Sequence, residues 1–195
     1  MARLITGKIN AMKRQMTKYI ALLRGVNVGG SNKIVMSELK AAFEKKGFKN
    51  VSTYINSGNV IFESESDETV VKTACERLIK TNFGLKITVG IITASELNDA
   101  LANAPDWWNK IPNAKHNAIF VIPPMTPSAV CAEAGGINPK YENIGYYGKV
   151  IFWSAPLITF SRTRWSKISK SSKAYNAITI RNANTVLKLA ELIKR

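Results

Sequence analysis

The stretch from Tyr19 to Phe62 constrains the fold most strongly, because it fixes two strands and an intervening helix in one order. Tyr19–Leu23 is a short apolar run that ends abruptly at a glycine-rich polar loop, which is typical of a buried strand. After a helical pattern, Val51–Ile55 leads into Asn-Ser-Gly-Asn at positions 56–59, and apolar residues resume at once. Such a tight polar sequence between two β-rich runs predicts a hairpin.

The remaining elements of the first half complete the order β-α-β-β-α-β with one trailing helix. An apolar stripe at helical spacing follows Ser66 and Asp67, either of which can cap a helix. Ile87–Ile92 is patterned as a strand, and a helix is expected from Ser95 to about Asn103. This order is that of the ferredoxin-like unit, also called the split βαβ unit.

The second half repeats the same order, although its residues resemble those of the first half only weakly. Its predicted strands are Asn117–Ile122, Tyr141–Tyr147, Lys149–Trp153 and Ala177–Arg181. Its predicted helices are a short one that Thr126-Pro127 opens and that runs through Ala134, a basic segment over Ser161–Ser172, and a last helix capped by Asn184. We therefore predict an α+β protein of two tandem ferredoxin-like lobes, residues 18–104 and 115–195. A basic extension, residues 1–17, precedes them.

The boundary between the lobes is expected in the segment Asn103–Lys115, where Pro105 and Pro112 flank Trp107 and Trp108. These two rings can stack on a base or on another ring. Large aromatic side chains are usually buried, so we expect them to pack between the lobes instead.

The topology of a ferredoxin-like lobe brings two distant segments together. Right-handed crossovers give such a lobe the strand order 4-1-3-2, in which the first strand lies beside the third. The loop after the first strand then meets the hairpin turn that precedes the third. We therefore expect Gly25–Lys33 and Asn56–Asn59 to lie side by side at one edge of the first sheet.

This juxtaposition makes the loop and the turn the best candidate for a binding site. Glycines can present backbone N–H groups to a phosphorylated metabolite, a nucleotide or another small anion, and the following helix adds its N-terminal dipole. The spacing matches neither G-x-x-x-x-G-K-[ST] nor G-x-G-x-x-G, so the alternative is that both segments only make tight turns. The predicted ligand-binding residues are Arg24, Gly25, Asn27, Gly29, Gly30, Lys33, Asn56, Ser57 and Asn59.

No catalytic constellation is predicted, and the sequence leaves open whether the protein is an enzyme. His116 is the single histidine, which leaves no partner for a histidine-rich metal site, and we expect it to face solvent or to cap a strand. Ser57 lacks the G-x-S-x-G context of an activated serine. Cys75 and Cys131 are far apart and are expected to be reduced and structural. No cofactor and no metal ion are predicted.

The net charge of +15 is concentrated at the two ends of the chain. Residues 1–18 carry five basic and no acidic side chains, and residues 160–195 carry nine basic ones against Glu191 alone, which leaves the body at only +2. Contact with a polyanion is one interpretation of this distribution. A solvated basic surface is the other, and it is the one we favour.

Nucleic-acid binding is the alternative function. A group of aromatic residues on or near one second-lobe hairpin can stack bases, and the basic segment Arg162–Lys167 follows the same strands. We favour burial of these rings in the core, since aromatic side chains are more often buried. The residues of this group are Tyr141, Tyr146, Tyr147, Phe152 and Trp153.

Composition places the chain among ordinary globular proteins, with 46% hydrophobic and 21% charged residues. No apolar run approaches the length that spans a bilayer, and the basic N-terminus lacks the apolar stretch of a secretory signal. We therefore expect a cytoplasmic protein without membrane contact. The sequence does not indicate an oligomeric state.

Three stretches are long and specific, namely ALLRGVNVGGSNKIVMSELK, GFKNVSTYINSGNVIF and TIRNANTVLKLAEL. They resemble the bacterial family called domain of unknown function 1697, and the resemblance runs from Tyr19 to Ile193. It implies an α+β protein of two related lobes and supplies no reaction, ligand or catalytic residue. Two departures stand out: Ala183 takes the place of tryptophan in the family's R-N-W-N-T motif, and the chain starts early, with Met12 and Met16 as alternative starts.

Overall fold

The computed structural model of the chain describes residues 15–30, 32–135, 138–168 and 172–194. Most of the predicted N-terminal extension, Ser31 of the glycine-rich loop and part of the predicted basic helix therefore lie outside the described residues. Within these ranges the chain forms two four-stranded antiparallel sheets with helices packed on them. None of the helices in the same ranges is long and apolar enough to cross a membrane.

The first unit follows the element order predicted from its sequence. α1 ends where Gly47 takes a left-handed φ of 101°, and α2 begins where the Asp67 side chain accepts a hydrogen bond from Val70 N. The strands are arranged in the order β2-β3-β1-β4, so the predicted order 4-1-3-2 is confirmed. The elements are β1 (Thr17–Leu23), α1 (Met36–Lys46), β2 (Lys49–Tyr54), β3 (Asn59–Ser64), α2 (Glu68–Phe83), β4 (Val89–Thr93) and α3 (Ala94–Ala102).

The second unit contains a sheet of the same kind, with the strand order β6-β7-β5-β8. Both edge strands, β6 and β8, are only five residues long. The elements are β5 (Ala114–Val121), α4 (Pro127–Glu133), β6 (Asn143–Tyr147), β7 (Val150–Pro156), α5 (Lys173–Asn176), β8 (Ile178–Asn182) and α6 (Ala183–Leu192).

Two details of the second unit differ from the sequence-based expectation. The basic segment does not form one helix, because Thr163 is extended (ψ 152°) and separates two 3-10 turns, Leu157–Arg162 and Trp165–Lys167. The last helix is capped by Asn182 rather than by Asn184. The Asn182 side chain accepts a hydrogen bond from Thr185 N at 2.8 Å, and helical geometry starts at the next residue.

The two units share a core that lies between their sheets. The outer face of the first sheet packs against α1 and α2, and the outer face of the second packs against α4, α5 and the 3-10 turns. The third cluster joins the inner faces of both sheets with α3 and α6. β1 is therefore buried on both faces, which explains its unbroken apolar sequence. Large members of the shared cluster are Ile20, Leu22, Phe120, Phe152 and Leu189.

The tryptophan pair in the connection between the units belongs to this shared core. Trp108 is buried with its ring edge-on to Phe152, at 5.0 Å between centroids, and its Nε1 donates to Asn117 O at 2.9 Å. Trp107 is partly buried against the same cluster. The expectation that both rings pack between the lobes is confirmed.

A half-buried ion-pair cluster joins the two units at the turn between β6 and β7. Lys149 Nζ lies 2.7 Å from Glu68 Oε2 and 3.0 Å from Glu96 Oε1, so one ammonium of the second unit bridges two carboxylates of the first. Burial alone raises the pKa of the Glu96 carboxyl, but hydrogen bonds from Thr93 and the Lys149 ammonium outweigh it and hold this pKa below its usual range.

Replacing Lys149 with methionine should lower the free energy of unfolding by about 1–2 kcal/mol at pH 7, because two half-buried carboxylates lose their partner. Since folding depresses the Glu96 pKa, its stabilising contribution is complete above the ordinary value of 4.5 and is lost as the pH falls through the folded value. The difference between wild type and variant should therefore shrink in urea titrations between pH 7 and pH 3. Lys40→Met, which removes an exposed pair with Glu44 at 2.9 Å, is the control and should cost about 0.5 kcal/mol or less. A Lys149 effect that stays constant with pH would contradict this assignment.

Candidate functional site

The glycine-rich loop and the hairpin turn meet, as the strand order predicts. Leu23 N donates to Gly58 O at 2.8 Å, and Asn27 Nδ2 donates to Asn56 O at 2.8 Å. β1 and β3 are direct neighbours, with Leu22 paired to Asn59. The predicted juxtaposition of the two segments is therefore confirmed, although this by itself gives them no ligand.

An arginine of the second unit is inserted into this junction. Arg181 on β8 donates from Nε to Asn59 Oδ1 at 2.6 Å, and from Nη2 to Leu23 O and Ser57 O at 2.9 Å each. The Asn59 side chain is fully buried, at 0% exposure, and its Nδ2 donates to Tyr54 O at 3.0 Å. Asn59 thus connects the hairpin turn to the second unit.

The Arg181 guanidinium is a buried cation whose acceptors are all uncharged. The side chain is 7% exposed, and its Nη1 donates to Thr179 Oγ1 and to Ile180 O, both at 2.9 Å. Within the described part of the chain no carboxylate forms an ion pair with it. Desolvation lowers the pKa of Arg181 to about 10, which still leaves it protonated at neutral pH. The junction of the two units therefore carries a buried positive charge.

A crevice of about 460 Å³ opens beside this arginine, between the two units. We call it the interlobe crevice. Its first-unit wall consists of Leu23–Val26, Val28 and Ser57, and its second-unit wall consists of Tyr175, Asn176 and Ile178–Arg181. No aspartate or glutamate is among these residues. The Arg24 guanidinium lies over the Tyr175 ring, 4.7 Å from its centroid, so the crevice has a second cation at its side.

Three of the residues predicted to bind a ligand line the interlobe crevice, namely Arg24, Gly25 and Ser57. The exposed loop tip, Gly29–Gly30, lies outside this lining, as do Lys33 and the first turn of α1. The expected cradle of loop amides and helix dipole therefore does not coincide with the crevice. Only the beginning of the loop reaches it.

The Asn27 side chain forms hydrogen bonds across the glycine-rich loop. It has a positive φ of 53°, its Nδ2 donates to Ile34 O at 2.9 Å, and its Oδ1 accepts from Ile34 N at 2.9 Å. Asn32 Nδ2 adds a bond to Gly25 O at 3.0 Å. These side chains form hydrogen bonds within the loop and hold it in its turn conformation. This supports the tight-turn interpretation for Asn27.

The second-lobe aromatic group is divided between the core and the surface. Phe152 and Trp153 are buried, whereas Tyr146 and Tyr147 are exposed on β6 and Tyr141 is half-buried. Burial in the core is therefore confirmed for two of the five rings. The basic N-terminal extension lies almost entirely outside the described residues, so its part in the nucleic-acid alternative stays a prediction.

A buried carboxylate holds the basic segment in place. Glu142 is almost wholly buried, and its side chain accepts from Trp153 Nε1 at 3.1 Å and from Arg164 N at 2.8 Å. This contact fixes the start of the second 3-10 turn against the sheet. The charged side chains of the segment are therefore displayed on a fixed backbone.

His116 has a structural role that differs from the expected solvent-facing or capping position. Its Nε2 lies 2.8 Å from Ile111 O, which requires a donor at Nε2, while Nδ1 lies 2.6 Å from Ser154 Oγ and accepts from Asn109 N at 3.0 Å. With the hydrogen on Nε2, the ring donates to Ile111 O, and the Nδ1 lone pair is shared between Asn109 N and Ser154 Oγ. It ties the connection between the units to β5 and β7.

The two cysteines and the acidic residues give no second candidate centre. Cys75 is buried in the first-unit core and burial raises the pKa of its thiol, so it is not an activated nucleophile. Cys131 is also free and half-buried. In the ranges that the structure covers, no group of three histidine, cysteine, aspartate or glutamate side chains is arranged to hold a metal ion.

Comparison with known proteins places the chain in a family. The model of a family described as "Protein of unknown function (DUF1697)" matches residues 16–152. The chain belongs to this family. The match includes β1, the loop and the hairpin turn, which form the first-unit wall of the crevice, and ends before β8 with Arg181.

A solved structure extends the likeness to nearly the whole chain. The conserved bacterial protein SP0830 from Streptococcus pneumoniae has 30% sequence identity with the chain and a TM-score of 0.81. The match covers 91% of this chain and 99% of that one. No curated protein sequence matches the chain. The family resemblance seen in the motifs is confirmed, and the family's description assigns it no function.

Proposed function

We propose that this protein binds a small anionic ligand in the interlobe crevice. The observation that supports this is the charge of its walls: Arg24 and the buried Arg181 line it, and no acidic residue does. A cation surrounded by protein rather than water is screened less, so it attracts an anion more strongly than an exposed one. A volume of about 460 Å³ suits a small molecule.

Arg24 is the group best placed to contact the anion directly. The donors of Arg181 are all taken by neighbouring oxygens, so it contributes mainly its charge. Arg24 is half-buried, and its guanidinium lies over the Tyr175 ring. Within the described residues this guanidinium forms no ion pair, so its N–H fork is available for a carboxylate or phosphate. Ser57 Oγ accepts from Asn59 Nδ2 at 3.0 Å, which leaves its own hydrogen to donate.

The other predicted site residues take different parts in this proposal. Asn27 and Asn59 shape the loop and the turn through side-chain hydrogen bonds to backbone oxygens, one of which is Asn56 O. Asn59 also accepts from Arg181 of the second unit. Gly29–Gly30 and Lys33 are outside the crevice lining and are not assigned a contact. The proposed ligand is a phosphorylated metabolite or a nucleotide, as expected from the sequence, or another small carboxylate or phosphate.

We infer that each unit is a ferredoxin-like lobe, with the lobes at residues 18–104 and 115–195. The shared strand order and the antiparallel pairing of each sheet support this inference. Two free cysteines are consistent with a cytoplasmic location.

Anion binding is tested by calorimetric titration of the protein with inorganic phosphate, AMP and citrate, alongside thermal melts with the same probes. At least one probe should bind saturably and raise the melting temperature. Arg24→Ala should weaken that binding at least 10-fold, because the direct donor is lost. Lys33→Ala removes the same charge from the exposed loop outside the crevice and should change the affinity less than 2-fold. Equal losses in both variants, or no binding of any probe, would refute the proposed site.

A further inference from the structure

The second-unit wall of the crevice contains a free sheet edge. β8 is at the end of its sheet, and β5 is its hydrogen-bonded neighbour. Ile122 N donates to Ala177 O at 2.8 Å on the β8 side, whereas Val121 N donates to Lys149 O on the β7 side. Backbone groups of successive residues alternate in direction. The N–H groups of Ile178 and Ile180 therefore project away from β5.

The crevice runs along this edge. It borders four consecutive residues, Ile178–Arg181. Their side chains point alternately to opposite faces of the sheet. A single space that lies beside all four residues is therefore at the edge of the strand. Ile180 is 40% exposed, whereas Ile178 is 2% exposed, so the Ile180 N–H is the more accessible of the two. In the described part of the chain neither N–H donates to a backbone oxygen outside the sheets. The Ile180 carbonyl accepts from Arg181 Nη1.

We propose that the anionic ligand of the crevice is an extended peptide that pairs with β8 and places its terminal carboxylate on Arg24; this inference rests on the proposed function. Backbone pairing with an exposed edge strand is a general mode of peptide recognition. The two arginines and the lack of acidic lining residues favour a carboxylate over a cationic end. Val28, 64% exposed on the opposite wall, and Ile180 offer apolar contacts to its side chains.

The position of Arg24 sets the direction of the peptide. Arg24 stacks on Tyr175, which precedes β8, so the carboxylate lies near the N-terminal end of that strand. A peptide whose C-terminus lies there and whose chain follows the crevice runs antiparallel to β8. One of its carbonyl groups then faces the N–H of the exposed Ile180.

The test uses fluorescence anisotropy with a fluorescein-labelled peptide, Lys-Thr-Val-Thr-Val, carrying a free C-terminal carboxylate. Its C-terminal amide should bind at least 10-fold more weakly. Ile180→Pro removes the outward N–H without removing a bond to β5 and should also weaken binding at least 10-fold, whereas Ile180→Val should stay within 2-fold. Two further peptides carry N-methyl groups on alternate amides, each on the amides that the other leaves free. Only one of them should lose binding, because only one set of amides faces β8. This comparison tests the pairing even if the proline variant does not fold.

The outcomes separate this inference from the proposed function. Absence of saturable peptide binding, equal binding of the acid and the amide, or equal effects of the two methylated peptides would overturn peptide pairing. If phosphate, AMP or citrate nevertheless binds in an Arg24-dependent manner, the proposed anion site stands without the peptide. If neither the peptide nor these anions bind, both proposals fail.

Discussion

Replacing Arg181 with methionine is expected to lower the free energy of unfolding by about 3 kcal/mol or more, the largest effect of any substitution considered. The buried acceptors Asn59 Oδ1, Leu23 O and Ser57 O would lose their donor, and each unsatisfied group costs about 1–3 kcal/mol. Because these acceptors belong to the first unit, the loss also loosens the contact between the units. For a chain of this length the melting temperature should fall by about 6–12 °C.

The control for Arg181 is an exposed arginine of the same unit. Arg162→Met removes an equal charge from the surface and should change the free energy of unfolding by about 0.5 kcal/mol or less. Both variants are compared with wild type in urea and thermal melts. If the two substitutions cost the same, the buried hydrogen bonds of Arg181 do not stabilise the fold.

The second large effect is expected for Gly58→Ala in the hairpin turn, at about 3 kcal/mol. Gly58 has a φ of 72°, which an alanine adopts at a cost of about 1–2 kcal/mol. In addition, a Cβ atom there would lie 2.7 Å from Leu23 Cβ and 2.5 Å from Val26 Cγ2, so buried neighbours must move. Gly58 O accepts from Leu23 N and Arg181, and movement of the turn would weaken both bonds.

Gly84→Ala is the matched control for this prediction. Gly84 has nearly the same φ, 69°, but no atom lies within 4 Å of a Cβ built there. It should therefore show only the conformational cost of about 1–2 kcal/mol. Equal destabilisation of the two variants, measured by urea denaturation, would mean that the close approach of the turn to β1 does not contribute.

The sequence allowed the fold to be predicted where local patterns determine the topology. Gly47 ends α1, the hairpin turn joins β2 to β3, and the alternation of strands and helices fixes the strand order. The extent of the contact between the units was less accessible. The apolar run of β1 indicates burial on two faces, but it does not say that a second sheet covers one of them.

The candidate site could also be predicted only in part, since its local features follow from the sequence and its contacts with the second unit do not. The meeting of loop and turn follows from strand order, and Asn27 and Asn56 are indeed in contact. Arg181 was missed because it is separated from Asn59 by more than a hundred residues and sits among exposed basic side chains. Its alternation with Thr179 places both on one face of β8, which was the one local signal available. No local pattern states that this face meets another unit.

Two errors in the second unit have physical causes that the pattern alone does not contain. Asn182 and Asn184 are both suitable caps by residue type, and only the geometry of the strand end selects the first. The basic segment contains helix-forming residues, but the contact of Arg164 N with Glu142 and the burial of Trp165 hold it in short turns. Tertiary contacts override helix propensity here.

A direct measurement for the interlobe crevice is a crystal structure of the protein grown with sodium selenate, an anion that is located by its anomalous scattering. We expect an anomalous peak within hydrogen-bond distance of the Arg24 guanidinium, beside Gly25 and Ser57, that disappears in crystals of Arg24→Ala. Selenate found only at exposed lysines, with the crevice empty, would contradict anion binding at this site.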